Sequence, residues 1–331
     1  MPAVSADPIS LPRLPHLDPG ATRWRPVAKV ITAQRQLEGE GFAVRRPFPS
    51  MALPAADPFL LLDQMGEVEY APGEAKGAPW HPHRGFETVT YMIDGRFEHT
   101  DSTGGGGVIA DGATPWMTAG SGVMHSELPP QDMIAKGGLF HGVQLWVNLP
   151  AAMKWTPPKY QGIEPGDVTL VSTPDGGALV RLIAGELAGY RGPGSTFTPI
   201  TYLHVTVSPG ARLDLPWRRD FNAMVYALGG NGFAGRERAR VGDGQLAVFG
   251  AGEALTVTAD ADQDLRHQRG WEVLVLGGRP IREPIARYGP FVMNTKAEIL
   301  EAIDDFNGGR LVRVAPVHAT AADESLGPRP S

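Results

Sequence analysis

Three histidines and one glutamate are the residues in this chain whose types and spacing most clearly imply chemistry. They are His81 and His83, in His81-Pro82-His83, and His125 and Glu127, in His125-Ser126-Glu127. In extended backbone, positions i and i+2 point to the same face, so each triplet sets its outer side chains side by side if it lies on a strand. Three imidazoles and a carboxylate on neighbouring strands form a four-ligand set. It suits a divalent first-row metal and leaves positions open on an octahedral ion.

The segment between the triplets supplies the scaffold. Thr88 to Ile93 reads as a strand, Asp94-Gly95 as a two-residue hairpin turn, Arg96 to Thr100 as the returning strand, and Ser102 to Gly107 as a second turn. Upstream, Val27 to Ile31 and Phe42 to Arg46 read as short strands, and the apolar run Pro58 to Leu62 as a strand buried on both faces. A glycine-rich stretch, Ala71 to Ala78, leads into the first triplet. Downstream, Gln131 to Gly138 is expected as a loop, Gly142 to Asn148 as a strand, and Pro150 to Tyr160 as a connector packed across the surface.

The second half repeats the pattern. Strands are expected over 168–171, 179–183, 200–207, 223–228, 245–249, 255–258 and 271–276, nearly all separated by glycine or proline. One helix closes the chain: Thr295 to Glu298 is a capping box, Ile299, Ile303 and Phe306 share a face, and Gly308 is the stop.

Composition agrees with an all-β reading. The 331 residues include 42 Gly and 31 Pro scattered between short apolar runs, which calls for many turns. Apolar residues make up 42% and charged residues 20%, the balance of a globular protein. Net charge is −6 with no block of Lys and Arg, so direct nucleic-acid binding is not expected. With no cysteine, disulfides, iron–sulfur clusters and thiolate metal sites are excluded. The N-terminus lacks a basic region followed by an apolar one, and no apolar run of membrane-spanning length occurs, so a soluble cytoplasmic protein is expected.

Phe86 to Gly95 also lies against Phe221 to Gly230 with Phe, Tyr and the final Gly coincident, which two head-to-tail β units explain. At that offset His81 falls on Pro216 and His83 on Arg218. Aligning Gly120-Ser121-Gly122 with Gly250-Ala251-Gly252 puts His125 on Leu255 and Glu127 on Val257. The second unit is expected to keep the strands and lack the ligands.

These features, with Phe42 to Phe48, Asp57 to Asp63, His81 to Tyr91, Trp116 to Gly120, Gln144 to Pro150 and Tyr288 to Thr295, resemble the pirin family of the cupin superfamily from about Arg25 to Gly309. The resemblance implies two tandem cupin-type antiparallel β-barrels with a short C-terminal helix. The expected division is an N-terminal arm at 1–24, flexible and loose, and a metal-binding cupin domain at 25–150. A connector at 151–160 follows, then a second cupin domain without ligands at 161–310 and a tail at 311–331. It further implies Fe(II) on His81, His83, His125 and Glu127, although the ligand types also admit Mn, Co, Ni, Cu or Zn.

Two functions follow from the resemblance. One is a dioxygenase that opens flavonols such as quercetin with O2, in which Glu127 doubles as the base that takes the flavonol proton. The alternative is a non-catalytic, iron-dependent redox sensor that binds a protein partner, either a transcription regulator or a metabolic enzyme. Glu87, four residues after His83, occupies the position where other cupins carry a metal-binding carboxylate, and a hydrogen-bonded role on the barrel is its competing reading. His99 reads as a residue orienting a ligand or as a core histidine. The same two readings hold for His141, with structure favoured. Arg84 reads as a contact for an anionic substrate or as the partner of a surface carboxylate, and Trp80, Trp116 and Met117 as lining the pocket mouth or plain packing. His16, His204, His267 and His318 carry no ligand expectation.

Overall fold

The computed structural model describes residues 4–102, 106–263 and 270–312, together with the backbone of 317–320. His267, the side chain of His318, Gly104 and most of the expected tail lie outside the described residues. The first half forms β1 (Val27–Thr32), β2 (Gln34–Glu38), β3 (Phe42–Phe48), β4 (Phe59–Tyr70), β5 (Ala78–His83) and β6 (Phe86–Asp94). It continues with β7 (Phe97–Asp101), β8 (Gly106–Ile109), β9 (Thr114–Thr118), β10 (Val123–Leu128), β11 (Gly138–Asn148) and β12 (Lys159–Ile163). A large sheet runs β2-β3-β4-β11-β6-β9-β12, extended by the backbone of Val317–Thr320, and a small sheet β5-β10-β7-β8 packs with it as a cupin-type domain.

The second half forms β13 (Thr169–Ser172), β14 (Ala178–Ala184), β15 (Glu186–Leu187), β16 (Tyr190–Arg191), β17 (Ile200–Val207) and β18 (Arg212–Pro216). It continues with β19 (Met224–Gly229), β20 (Gly232–Ala234), β21 (Ala239–Val241), β22 (Gln245–Phe249), β23 (Ala254–Ala259) and β24 (Trp271–Gly278). Its large sheet runs β13-β14-β17-β24-β19-β22-β1 and its small one β18-β23-β20-β21, the same architecture as the first. The two repeat segments, β6 and β19, hold equivalent central places.

Each domain takes an edge strand from the segment that precedes the other. Thus β1, expected in the first domain, pairs with β22 of the second, and β12, expected at the end of the connector, pairs with β9 of the first. Local pattern specifies that a segment is extended; the partner edge is set by tertiary packing. The two large sheets then face each other across a shared core in which Tyr91, Val143 and Leu145 meet Tyr202, Tyr226 and Leu274. Burying such a side chain contributes roughly 1.5–3 kcal/mol. His204 crosses this interface: Tyr91 Oη lies 2.9 Å from its Nδ1, and its Nε2 lies 2.9 Å from Glu272 Oε2.

Other expectations need correction. The arm before Arg25 is laid down on the second domain: Leu14 is buried, Arg13 Nη1 donates to Ser172 Oγ at 2.6 Å, and Trp24 bridges to Ala254. Apolar Val4 and Leu14 among the prolines explain why it docks. Asp94-Gly95 is no hairpin turn, because β6 and β7 belong to different sheets; Gly95 turns the corner with φ +99° against the Leu139 backbone. The expected loop after β10 contains a short helix, α1 (Gln131–Lys136), ended by Gly137 with φ +73°.

After β24 the chain forms the hairpin β25 (Ala286–Tyr288) and β26 (Phe291–Met293), then α2 (Lys296–Asn307). The capping box is formed, with Glu298 N donating to Thr295 Oγ1 at 3.2 Å and Thr295 N to Glu298 Oε2 at 2.8 Å.

Candidate metal centre

Antiparallel pairing of β5 with β10 brings the two triplets together, with His125 directly opposite His81 and Val123 opposite His83. The imidazole centroids of His81 and His125 are 4.3 Å apart, those of His81 and His83 4.7 Å, and those of His83 and His125 4.8 Å. Ligand nitrogens of all three lie within 4.8 Å of one another. Glu127 joins a second group of the same tightness with His125 and His99, the latter opposite Glu127 on β7.

Two of the histidines are prepared as neutral ligands. His83 and His125 are buried, and burial above all, reinforced by the neighbouring imidazoles, pushes both well below the usual histidine range. Nδ1 of His81 lies 2.7 Å from Pro79 O and Nδ1 of His83 lies 3.4 Å from Pro290 O. A carbonyl only accepts, so both rings carry their proton on Nδ1 and leave Nε2 as the ligand atom. Among the described residues, neither nitrogen of the fully buried His125 has a hydrogen-bond partner. Buried polar atoms without partners are uncommon, and a metal ion on one nitrogen would satisfy it; on this observation the residues fit a divalent metal.

Glu127 is held at both oxygens. Thr90 Oγ1 donates to Oε1 at 3.1 Å and Gln144 Nε2 to Oε2 at 2.9 Å, while Trp146 Nε1 donates to Gln144 Oε1 at 3.3 Å. Thr90 and Gln144 fall in segments that carry the resemblance, but sequence reading gave neither a role, because a threonine or a glutamine on a buried strand has no ligand pattern of its own. Only their alternation onto the face of β6 and β11 that meets β10 could have flagged them.

A cavity of about 580 Å³ opens beside His81, His83 and Glu127, walled by Phe97, Phe140 and Trp146. That size is within the roughly 300–1,000 Å³ of small-molecule sites. The Trp146 ring lies 5.2 Å from that of His83, and the Arg287 guanidinium sits 4.9 Å from the centre of the same indole. Arg46, also on the wall, is paired with Asp63 and with Glu38, the latter at 2.7 Å. Among the described residues Arg287 makes no ion pair.

The remaining candidates fall elsewhere. Glu87 is fully buried away from the histidines and accepts from Thr118 Oγ1 at 2.9 Å and from Thr196 of the second domain. His141 lies 3.0 Å from Gln64 Nε2 in the interior. Arg84 is fully buried; its carboxylate partner Asp305 is itself buried and not a surface group, and its guanidinium lies 5.0 Å from the Trp155 ring centre. Trp80 lines the cavity and is 53% exposed, whereas Trp116 and Met117 are core. His99 packs 5.2 Å from both His125 and Tyr160.

The equivalent place in the second domain is filled with hydrocarbon. Where His81 faces His125, Leu215 faces Leu255, and where His99 faces Glu127, Ala234 faces Val257. His125 and Glu127 thus map as expected, while the first pair slips by one residue, His81 onto Leu215 and not Pro216. A loop of different length between the small sheet and the repeat segment shifts the frame.

Comparison with known proteins gives a consistent picture. The family model described as Pirin matches residues 41–147, and that described as the Pirin C-terminal cupin domain matches residues 202–312. A pirin-like protein of Arabidopsis thaliana is 41% identical over 88% of this chain and 91% of its own. A pirin-like protein of Caulobacter vibrioides is 40% identical over 86% of this chain and 99% of its own. A crystal structure of quercetin 2,3-dioxygenase from Acinetobacter baumannii superposes with a TM-score of 0.80 at 38% identity, covering 88% of this chain and 99% of the other.

Proposed function

The chain belongs to the pirin family, and from that premise we propose that it is a metal-dependent dioxygenase that opens a flavonol such as quercetin. One observation carries the reading: His81, His83 and His125 converge within 4.8 Å at the edge of an aromatic-walled cavity large enough for a three-ring ligand. A divalent metal, with Fe(II) the first expectation, would be held by these three histidines and Glu127. When bound, the metal would supply a Lewis acid and the redox chemistry needed for reaction with O2.

The protein's own part follows from its contacts. His81 and His83, with Nδ1 fixed on backbone carbonyls, aim Nε2 inward. Glu127 lies at the cavity wall and takes the proton from the flavonol hydroxyl, held for that transfer by Thr90 and Gln144. Phe97, Phe140 and Trp146 sandwich the rings and exclude water. Arg287, which makes no ion pair among the described residues and lies over the Trp146 face, offers its charge to an anionic oxygen of the substrate.

The test is anaerobic metal analysis followed by admission of oxygen to the same sample with quercetin. Near-stoichiometric metal and oxygen-dependent loss of quercetin absorbance are expected. Bound metal without turnover would sink the dioxygenase reading in favour of a regulatory role. Catalysis surviving in His125→Ala would sink the assigned site.

A further inference from the structure

By sequence the segment after β25 belongs with the second domain, yet it crosses back and locks onto the strand end that bears His83. Val292 N donates to Arg84 O at 3.0 Å, and Arg84 N approaches Pro290 O at 3.4 Å. The approach is so close that a Cβ on Gly85, whose φ is +91°, would lie 2.0 Å from Val292 O. Buried Lys154 ties the seam by donating to Gly85 O at 2.8 Å, to Val292 O at 3.0 Å and to Asn148 Oδ1 at 2.7 Å. Arg84, fully buried, reaches Asp305 of α2 at 3.0 Å through Nη2 and Ser121 O at 2.7 Å through Nε.

We propose that residues 290–310 are a positioning element for the metal centre, with Asp305 acting through Arg84, and the Pro290 carbonyl directly, to aim His83. This rests on the metal-site reading above. A buried ion pair adds little stability compared with packed hydrocarbon of the same volume, so its place one residue from a ligand is better explained by fixing geometry. The carbonyl of Pro290 selects the Nδ1–H form of His83, the contact through which outer groups set ligand orientation.

The test uses the full chain loaded with Co(II), in which visible absorption reports ligand geometry. In Asp305→Asn, Co(II) affinity by chelator competition is expected to fall about tenfold, with altered visible bands. Met51→Ala, at an exposed position outside this segment, should leave both unchanged. A folded Asp305→Asn protein with the parent affinity and bands would overturn the inference and leave the metal site standing, whereas a parent protein that binds no Co(II) would overturn both. Should Asp305→Asn fail to fold, amide exchange of the parent decides. Coupling is reciprocal, so Co(II) must slow exchange across 291–310 if that segment supports the site, and unchanged protection there would overturn the proposal.

Discussion

Gln144 donates its side-chain N–H to Oε2 of Glu127 at 2.9 Å, and this bond joins β11 of the large sheet to β10 of the small one, which carries His125 and Glu127. With Thr90 on the other oxygen, the carboxylate has one preferred orientation at the cavity wall. Replacing Gln144 by Leu removes one restraint without adding bulk. A ten- to hundredfold loss of quercetin turnover is expected, the size usual for groups that orient metal-site residues, with secondary structure unchanged. Equal rates in parent and variant would remove Gln144 from the machinery.

His125 belongs to both candidate ligand groups and has no hydrogen-bond partner among the described residues. His125→Ala strands no other polar group, so the fold should survive while metal content drops from near-stoichiometric to background. Elemental analysis beside circular dichroism reads both. Full metal content in the variant would mean that the ion sits elsewhere.

The placement of the two triplets was legible in the sequence because alternation over three residues depends only on local backbone, and both triplets do lie on strands. The partner strands were less accessible. Nothing local in Val27–Thr32 says that it joins the second sheet, nor in Lys159–Ile163 that it joins the first, since either edge accepts an extended apolar segment. The same holds for Asp305: an acidic residue near the end of a helix reads as solvated, and only the return of the C-terminal segment buries it on Arg84. Glu87 illustrates the converse, a motif position whose carboxylate is turned to threonines of two domains.

Burial raises the Glu87 carboxyl to about 6 from an ordinary 4.5, although hydrogen bonds from Thr196 and Thr118 oppose the rise. Between those two values the folded protein binds the proton that the unfolded chain has lost, so stability falls as pH rises through this window. Full ionisation costs about 2 kcal/mol. In Glu87→Gln that cost is absent. Urea unfolding of metal-free protein at pH 4 and pH 7 should therefore show the parent losing about 2 kcal/mol relative to the variant across the interval. Parallel pH profiles would show that Glu87 ionises as an ordinary carboxylate.

Arg287 tests what the cavity recognises. It stacks on Trp146, which in turn packs against His83, so an aromatic ligand held at the histidines extends along the indole toward the guanidinium. Arg287→Met keeps much of the apolar stem against Trp146 and deletes only the charge. A charge-assisted hydrogen bond contributes roughly 1.5–3 kcal/mol, so quercetin should bind about tenfold or more weakly, and kcat should hold because, among the described residues, Arg287 makes no hydrogen bond to Glu127, the proposed proton acceptor. The salt dependence of binding should weaken in parallel. A fall in kcat at unchanged KM would place Arg287 with the reacting atoms, and no change in either would show that the ligand lies along a different wall.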